Sequence, residues 1–279
     1  MIRDTIKKTA IAGFVFTVLI SCQHRADTIP AGKLKKVFNP FLNGAWVKTE
    51  YIHDITKTKS PHKSSKTLNG IVSFIIDTAT IRGDSMFLSS SIGNHEGMNF
   101  LLYFKQGEQP NSLLTNIHDD ANPANSFELG YLVNSNDTSL ILYHYDENKK
   151  LIAKKEFTKV LRNQSNDVIT YGLQYIVNKK LISGTYKTRD LTGGETTLQF
   201  TDKGKVTGFA GFKTYYVLTD FFAEPGASPD RICFDIETDT GKWYEFEIKD
   251  NILYLFEAQE NNPGKSRQRN SPTYKLIKQ

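Results

Sequence analysis

The chain has 279 residues, 12% of them aromatic, with only 9 Pro and 19 Gly, enough for one large or two small domains with real cores and a bias toward strands. Its net charge of +5 arises from 35 basic and 30 acidic side chains. The two signs are interleaved throughout, so there is no basic stripe and no nucleic-acid partner is expected. The two cysteines, Cys22 and Cys233, exclude a disulfide framework.

Residues 1–21 read as a signal peptide. Arg3, Lys7 and Lys8 form a basic start, and Ala10 to Ile20 is a nearly unbroken apolar run. That run is shorter than the roughly 20 residues a stable membrane-spanning helix needs. The ending Leu19-Ile20-Ser21-Cys22 resembles a bacterial lipobox. The resemblance implies cleavage before Cys22, lipidation (palmitate among the acyl groups) at that sulfur, and a lipoprotein held on the cell envelope by its acyl chains. Gln23 after the cysteine, rather than Asp, goes in such lipoproteins with delivery to the outer membrane. Residues 22–37, with Pro30 and Gly32 and few large apolar groups, read as a flexible tether.

A first β-unit is expected over 38–161. It opens at Phe41-Leu42 and Gly44-Ala45-Trp46. Ile52 to Lys66, polar and rich in lysine, reads as a long exposed loop. Asn69-Gly70 turns into the β-branched run Ile71 to Ile76, and Arg82-Gly83-Asp84-Ser85 is a hairpin turn by its chemistry. Gly97 to Phe104, Phe127 to Val133, Leu140 to Tyr145 and a last run ending at Phe157 to Leu161 complete about eight strands with short turns and no helix. The connector, 162–181, carries Ile169, Leu173, Ile176 and Val177 on one helical face, with Ser165 or Asn166 as cap and Gly172 as a weak point.

A second unit, 182–279, opens on Gly184-Thr185-Tyr186 and repeats the sequence of strands and turns. Ile232, Phe234 and Ile236 alternate with Cys233, Asp235 and Glu237. Tyr244, Phe246 and Ile248 alternate with glutamates and Lys249, and Tyr274 to Ile277 closes the unit. Each unit places Gly two residues before a large aromatic and runs on to a Lys-Thr pair, which argues for an internal duplication. The expected class is all-β: two tandem antiparallel meander barrels or sandwiches joined by one α-helix.

Gly44-Ala45-Trp46, preceded by Asn39-Pro40-Phe41-Leu42, resembles the Gly-x-Trp first-strand signature of the lipocalin or calycin barrels, and Gly184-Thr185-Tyr186 resembles a degraded copy of it. Thr219-Asp220-Phe221 is similar to a second lipocalin signature; the third, a late arginine on the last strand, has no match. The resemblance implies lipocalin-like units, as in bacterial lipoproteins. Eight-stranded barrels hold one small ligand or are filled by their own side chains.

No catalytic constellation stands out. The six histidines are His24, His53, His62, His95, His118 and His144; His95-Glu96 and His118-Asp119-Asp120 lack the fixed spacing of a metal site. His144 shares the inward register of Leu140 and Leu142. Cys233 reads as a small, partly buried thiol. No cofactor fingerprint is found. The expected role is non-enzymatic: binding of a small apolar ligand, or docking to another envelope protein.

Overall fold

The structure, a computed structural model, describes residues 29–134, 137–163, 168–189, 194–221, 229–258 and 271–279. The signal segment, Cys22, His24 and the cap expected at Ser165 or Asn166 lie outside the described residues. Among those described, no helix is long and apolar enough to cross a membrane.

The first unit is a closed antiparallel barrel of eight strands in chain order. They are β1 (Gly44–Lys48), β2 (Ile71–Ile76), β3 (Ser85–Ile92), β4 (Glu96–Gln106), β5 (Ser112–Thr115), β6 (Ser126–Asn134), β7 (Asp137–Tyr145) and β8 (Leu151–Leu161). Lys48 pairs with Phe157 and Ala45 with Leu161, so the last strand returns to the first. Trp46, Phe74, Leu88, Phe100, Leu102, Leu113, Leu129, Leu140 and Phe157 fill its interior. On the same strands Val47 faces outward by the side-chain period of two, and the β-bulge between Ile71 and Ser73 turns Val72 outward as well, so both join a different cluster.

The second unit is an eight-stranded antiparallel sheet. It comprises β9 (Gly184–Arg189), β10 (Glu195–Phe200), β11 (Val206–Thr207), β12 (Tyr215–Val217), β13 (Arg231–Phe234), β14 (Lys242–Lys249), β15 (Ile252–Glu257) and β16 (Tyr274–Lys278). Its spatial order is β11-β10-β9-β16-β15-β14-β13-β12. The two ends approach through a single bridge between Lys205 and Thr214. The sheet therefore curls into a barrel-like body. Eight strands fit in this short unit because β11, β12 and β13 have only two, three and four residues. Phe200, Phe209, Phe212, Phe234, Tyr244 and Tyr274 touch edge-to-face or stacked and fill its middle.

Two helices depart from the expected layout, and a third is the expected connector. The first, α1 (Ala31–Leu42), begins inside the span read as tether and takes in Phe41 and Leu42, expected to open a strand. Leu34, Phe38 and Leu42 recur every fourth residue on its buried stripe, each such side chain contributing about 1.5–3 kcal/mol when withdrawn from water. The stripe closes the barrel end at which β1 begins. The second, α2 (Thr49–Thr58), replaces the first part of the expected loop over 52–66. Tyr51, Ile52 and Ile55 form a narrow apolar face among polar residues, and Lys59, at φ 56°, ends it in the left-handed conformation. The third, α3 (Tyr171–Val177), is the connector helix, shorter than expected and continued by one wide turn over Asn178–Ile182. Gly172 is required there: a Cβ on it would lie 2.8 Å from that of Ala45.

Helices α2 and α3 lie between the units. Tyr51, Ile55, Leu173, Ile176 and Val177 form one apolar cluster with Val47 and Val72 on one side and Tyr186, Leu198, Phe234 and Phe246 on the other. The core of the second unit is thus continuous with the outer wall of the first. Ile236 is 45% exposed rather than inward. Strand β13 ends at Phe234, and Asp235 turns the chain at φ 48° while its Oδ1 accepts from the Lys213 and Thr214 amides.

Both units open on one device. In the first, the Trp46 Nε1 donates to the Leu42 carbonyl at 2.8 Å, and Lys159 of β8 places its ammonium 4.6 Å from the ring centroid while donating to the Phe41 carbonyl. In the second, the Tyr186 hydroxyl donates to the Ile182 carbonyl at 2.6 Å, with Lys278 of β16 5.7 Å from its ring. Each aromatic ties the end of the preceding helical segment to its first strand, and a lysine from the last strand caps the ring. Lys159 stands where the sequence offered no arginine. Burial and then Arg162 lower its pKa. The matched geometry supports the duplication more firmly than the few sequence identities do.

Candidate functional site

Helix α1 enters β1 at Gly44, which pairs with Ile76. The opposite end of barrel one is therefore the end where Ile71 pairs with Ile92. A cleft of about 550 Å³ lies at this mouth, lined by Ser65, Lys66, Leu68, Asn69, Gly70, Ile92, Gly93, His95, Glu96 and Phe221. Leu68, Ile92 and Phe221 give it apolar walls, and the charged residues stand around them. The volume falls in the range of small-molecule sites, which favour barrel mouths.

The wall over residues 65–70 is held from below. Lys48 is buried, and its Nζ donates to the Thr67 carbonyl at 2.8 Å and to the Asn69 Oδ1 at 2.9 Å. Its burial and the neighbouring Lys155 lower its pKa. Such a buried ammonium is tolerated because its donors meet fixed oxygens. The loop between β5 and β6 covers another part of the mouth. Ile117 enters the barrel core, and Asp119 Oδ2 lies 3.0 Å from His144 Nε2. The His144 ring stacks on Phe127 with centroids 4.2 Å apart. Hydrogen bonds from Asn125 and the Ala121 amide hold the Asp119 carboxyl below its ordinary pKa.

The second unit reaches the cleft through a polar seam. Buried Asn94 donates to the Thr219 Oγ1 at 2.7 Å, His95 Nδ1 lies 2.9 Å from Asp220 Oδ2, and the His62 amide donates to Asp230 Oδ1 at 2.7 Å. Phe221 then packs edge-on against the His62 ring. Burial raises the Asp230 pKa. The His95 pKa is raised chiefly by its hydrogen bond to Asp220. A raised folded-state pKa means that this pair favours the folded form fully below about pH 6.5, and that the contribution fades as pH rises through the higher folded value. Asp220→Asn is expected to lower the His95 pKa in an NMR titration and to flatten thermal stability between about pH 6 and pH 8. An unchanged His95 titration would contradict the pairing.

Among the described histidines, only His95 lines the cleft, together with Glu96. His62 stands at the seam and His144 is half-buried and inward as expected. His53 lines a separate charged groove with Lys57 and Lys154, and His118 is exposed. His95, His118 and Glu96 do not converge. No group of three or more His, Cys, Asp or Glu is placed to hold a metal among the described residues. Cys233 is buried and free, and burial pushes its thiol up to about 11, away from reactivity. Phe221 and Leu68 escaped the sequence reading; the one signal was the Thr219-Asp220-Phe221 triplet, now seen at the seam. The fold and its mouth define a tandem antiparallel β-barrel protein with a cleft between its halves. No family model matches the chain, and neither a curated protein nor a solved structure matches it.

Proposed function

We propose that this chain is a non-enzymatic, lipid-anchored lipoprotein of the bacterial envelope that binds a small apolar ligand at the mouth of barrel one. The observation that carries the reading is the cleft itself. Its apolar walls of Leu68, Ile92 and Phe221 flank an open cleft of ligand size, while large side chains occupy the interiors of both barrels. A closed eight-stranded barrel opened by Gly44-Ala45-Trp46 and sealed at one end by a helix supports the lipocalin-like assignment. The basic start, apolar run and Ser21-Cys22 ending support acylation at Cys22 and outer-membrane residence. The test is titration with an uncharged fluorescent naphthylamine. The wild-type chain is expected to bind it, and Phe221→Ala to bind about tenfold more weakly, since a buried phenyl ring contributes at least 1.4 kcal/mol. Equal binding by both proteins, or none by the wild type, would remove the cleft as the ligand site.

A further inference from the structure

Helix α1 has a second face. Lys33, Lys36, Val37 and Pro40 are exposed at helical spacing, with Ile29 just before them. Every charge on the helix is a lysine. Lys35 is committed to Asp84 at 2.8 Å and lies over the Phe104 ring, which leaves Lys33 and Lys36 facing water. A short helix face with lysines beside exposed aliphatic groups suits an anionic bilayer surface, where the charges attract headgroups and the aliphatic side chains meet the interface.

The chain before the helix bears on which surface that is. Six residues, Gln23 to Thr28, separate Cys22 from Ile29. Even fully extended they span about 25 Å. With acyl chains on Cys22, the closed pole of barrel one cannot leave the neighbourhood of the headgroups. We infer that the outer face of α1 is a contact surface for anionic phospholipid, so that the body stands on its closed pole and holds the cleft at the far end, away from the bilayer. The tether argument rests on the acylation proposed above; the charge and exposure of the helix do not. Such a stance makes the cleft receive its ligand from the aqueous side rather than from the leaflet beneath.

The experiment uses the unlipidated chain from Gln23 onward, which contains every described residue, with vesicles of phosphatidylcholine alone or with an equal share of phosphatidylglycerol. Binding is expected only to the anionic vesicles. The double variant K33E/K36E is expected to weaken it at least about 25-fold, since the loss of each lysine charge alone accounts for roughly fivefold. K150E/K154E, an equal charge change on and beside the turn between β7 and β8 at the opposite pole, is expected to change it less than about threefold. No binding to anionic vesicles, or equal losses from the two double variants, would overturn the assigned face. So would vesicle binding that ignores lipid charge, or cross-links from Val37→Cys that trap an envelope protein instead of lipid. Acylation is read separately, from the intact mass of the protein extracted from membranes and of its Cys22→Ser variant. A mass without acyl chains removes the anchor and leaves the vesicle result to decide the helix face.

Discussion

Trp46→Ala is expected to lower stability by about 3–5 kcal/mol, the usual cost of emptying a large aromatic site in a core. Trp46 is fully buried, and its loss does more than open a cavity. The Leu42 carbonyl loses its donor, and Lys159, partly withdrawn from water, loses the ring beneath it. The end of α1 is then untied from β1, which loosens the seal at the closed pole. In urea, the unfolding midpoint should fall with little change in slope. Trp46 is one of two tryptophans, so a Trp243→Phe background makes wild-type unfolding a direct report on this site; the Trp46→Ala measurement itself is followed by circular dichroism. The corresponding Tyr186→Phe should cost only about 0.5–1.5 kcal/mol, the worth of its bond to the Ile182 carbonyl. A Trp46→Ala loss under 1 kcal/mol would mean that the device is not structural.

Gly44→Ala is expected to cost on the order of 3 kcal/mol, more than Gly184→Ala, although both glycines open a unit. At Gly44 φ is +125°, and a Cβ would lie 2.2 Å from the Leu161 carbonyl oxygen and 2.9 Å from that of Arg162. Both are backbone atoms at the point where β8 closes on β1, so relief requires the barrel seam to open. At Gly184 φ is +146°, but the nearest atom, at 2.5 Å, is the Cε of Lys278. That lysine can swing away at the loss of its place over Tyr186, leaving mainly the backbone strain, about 1–3 kcal/mol. Urea midpoints for the two single variants decide the matter. Equal losses would show that conformational strain, not the approach of β8, fixes the glycine at the first opening.

The strands were legible because their signals are local. Turn residues such as Asn69-Gly70 and alternation such as Tyr244, Phe246 and Ile248 depend only on neighbours in the chain. Helix α2 was not legible. Its burial rests on Tyr51, Ile52 and Ile55, three side chains within ten residues, and the surrounding charges outweighed them in a composition reading. Helix α1 was hidden for another reason: Leu34, Phe38 and Leu42 straddle the boundary drawn between tether and fold. Lys159 was visible in the closing run of the first unit, but its role was not, because that role depends on Trp46, which lies 113 residues earlier in the sequence, and on the barrel closing to bring β8 beside β1.

By itself the sequence determined that the chain is mostly β and that it carries two similar units each opened by Gly-x-aromatic. Those properties live in short patterns of size, polarity and backbone freedom. Tertiary structure decided the rest. It closed the first unit into a barrel, curled the second, and placed α2 and α3 in a core shared by both. It also built the cleft, by bringing Phe221 of one unit to residues 65–70 and 92–96 of the other. A cleft of this kind is made by contacts between segments more than a hundred residues apart, so no window of sequence contains it.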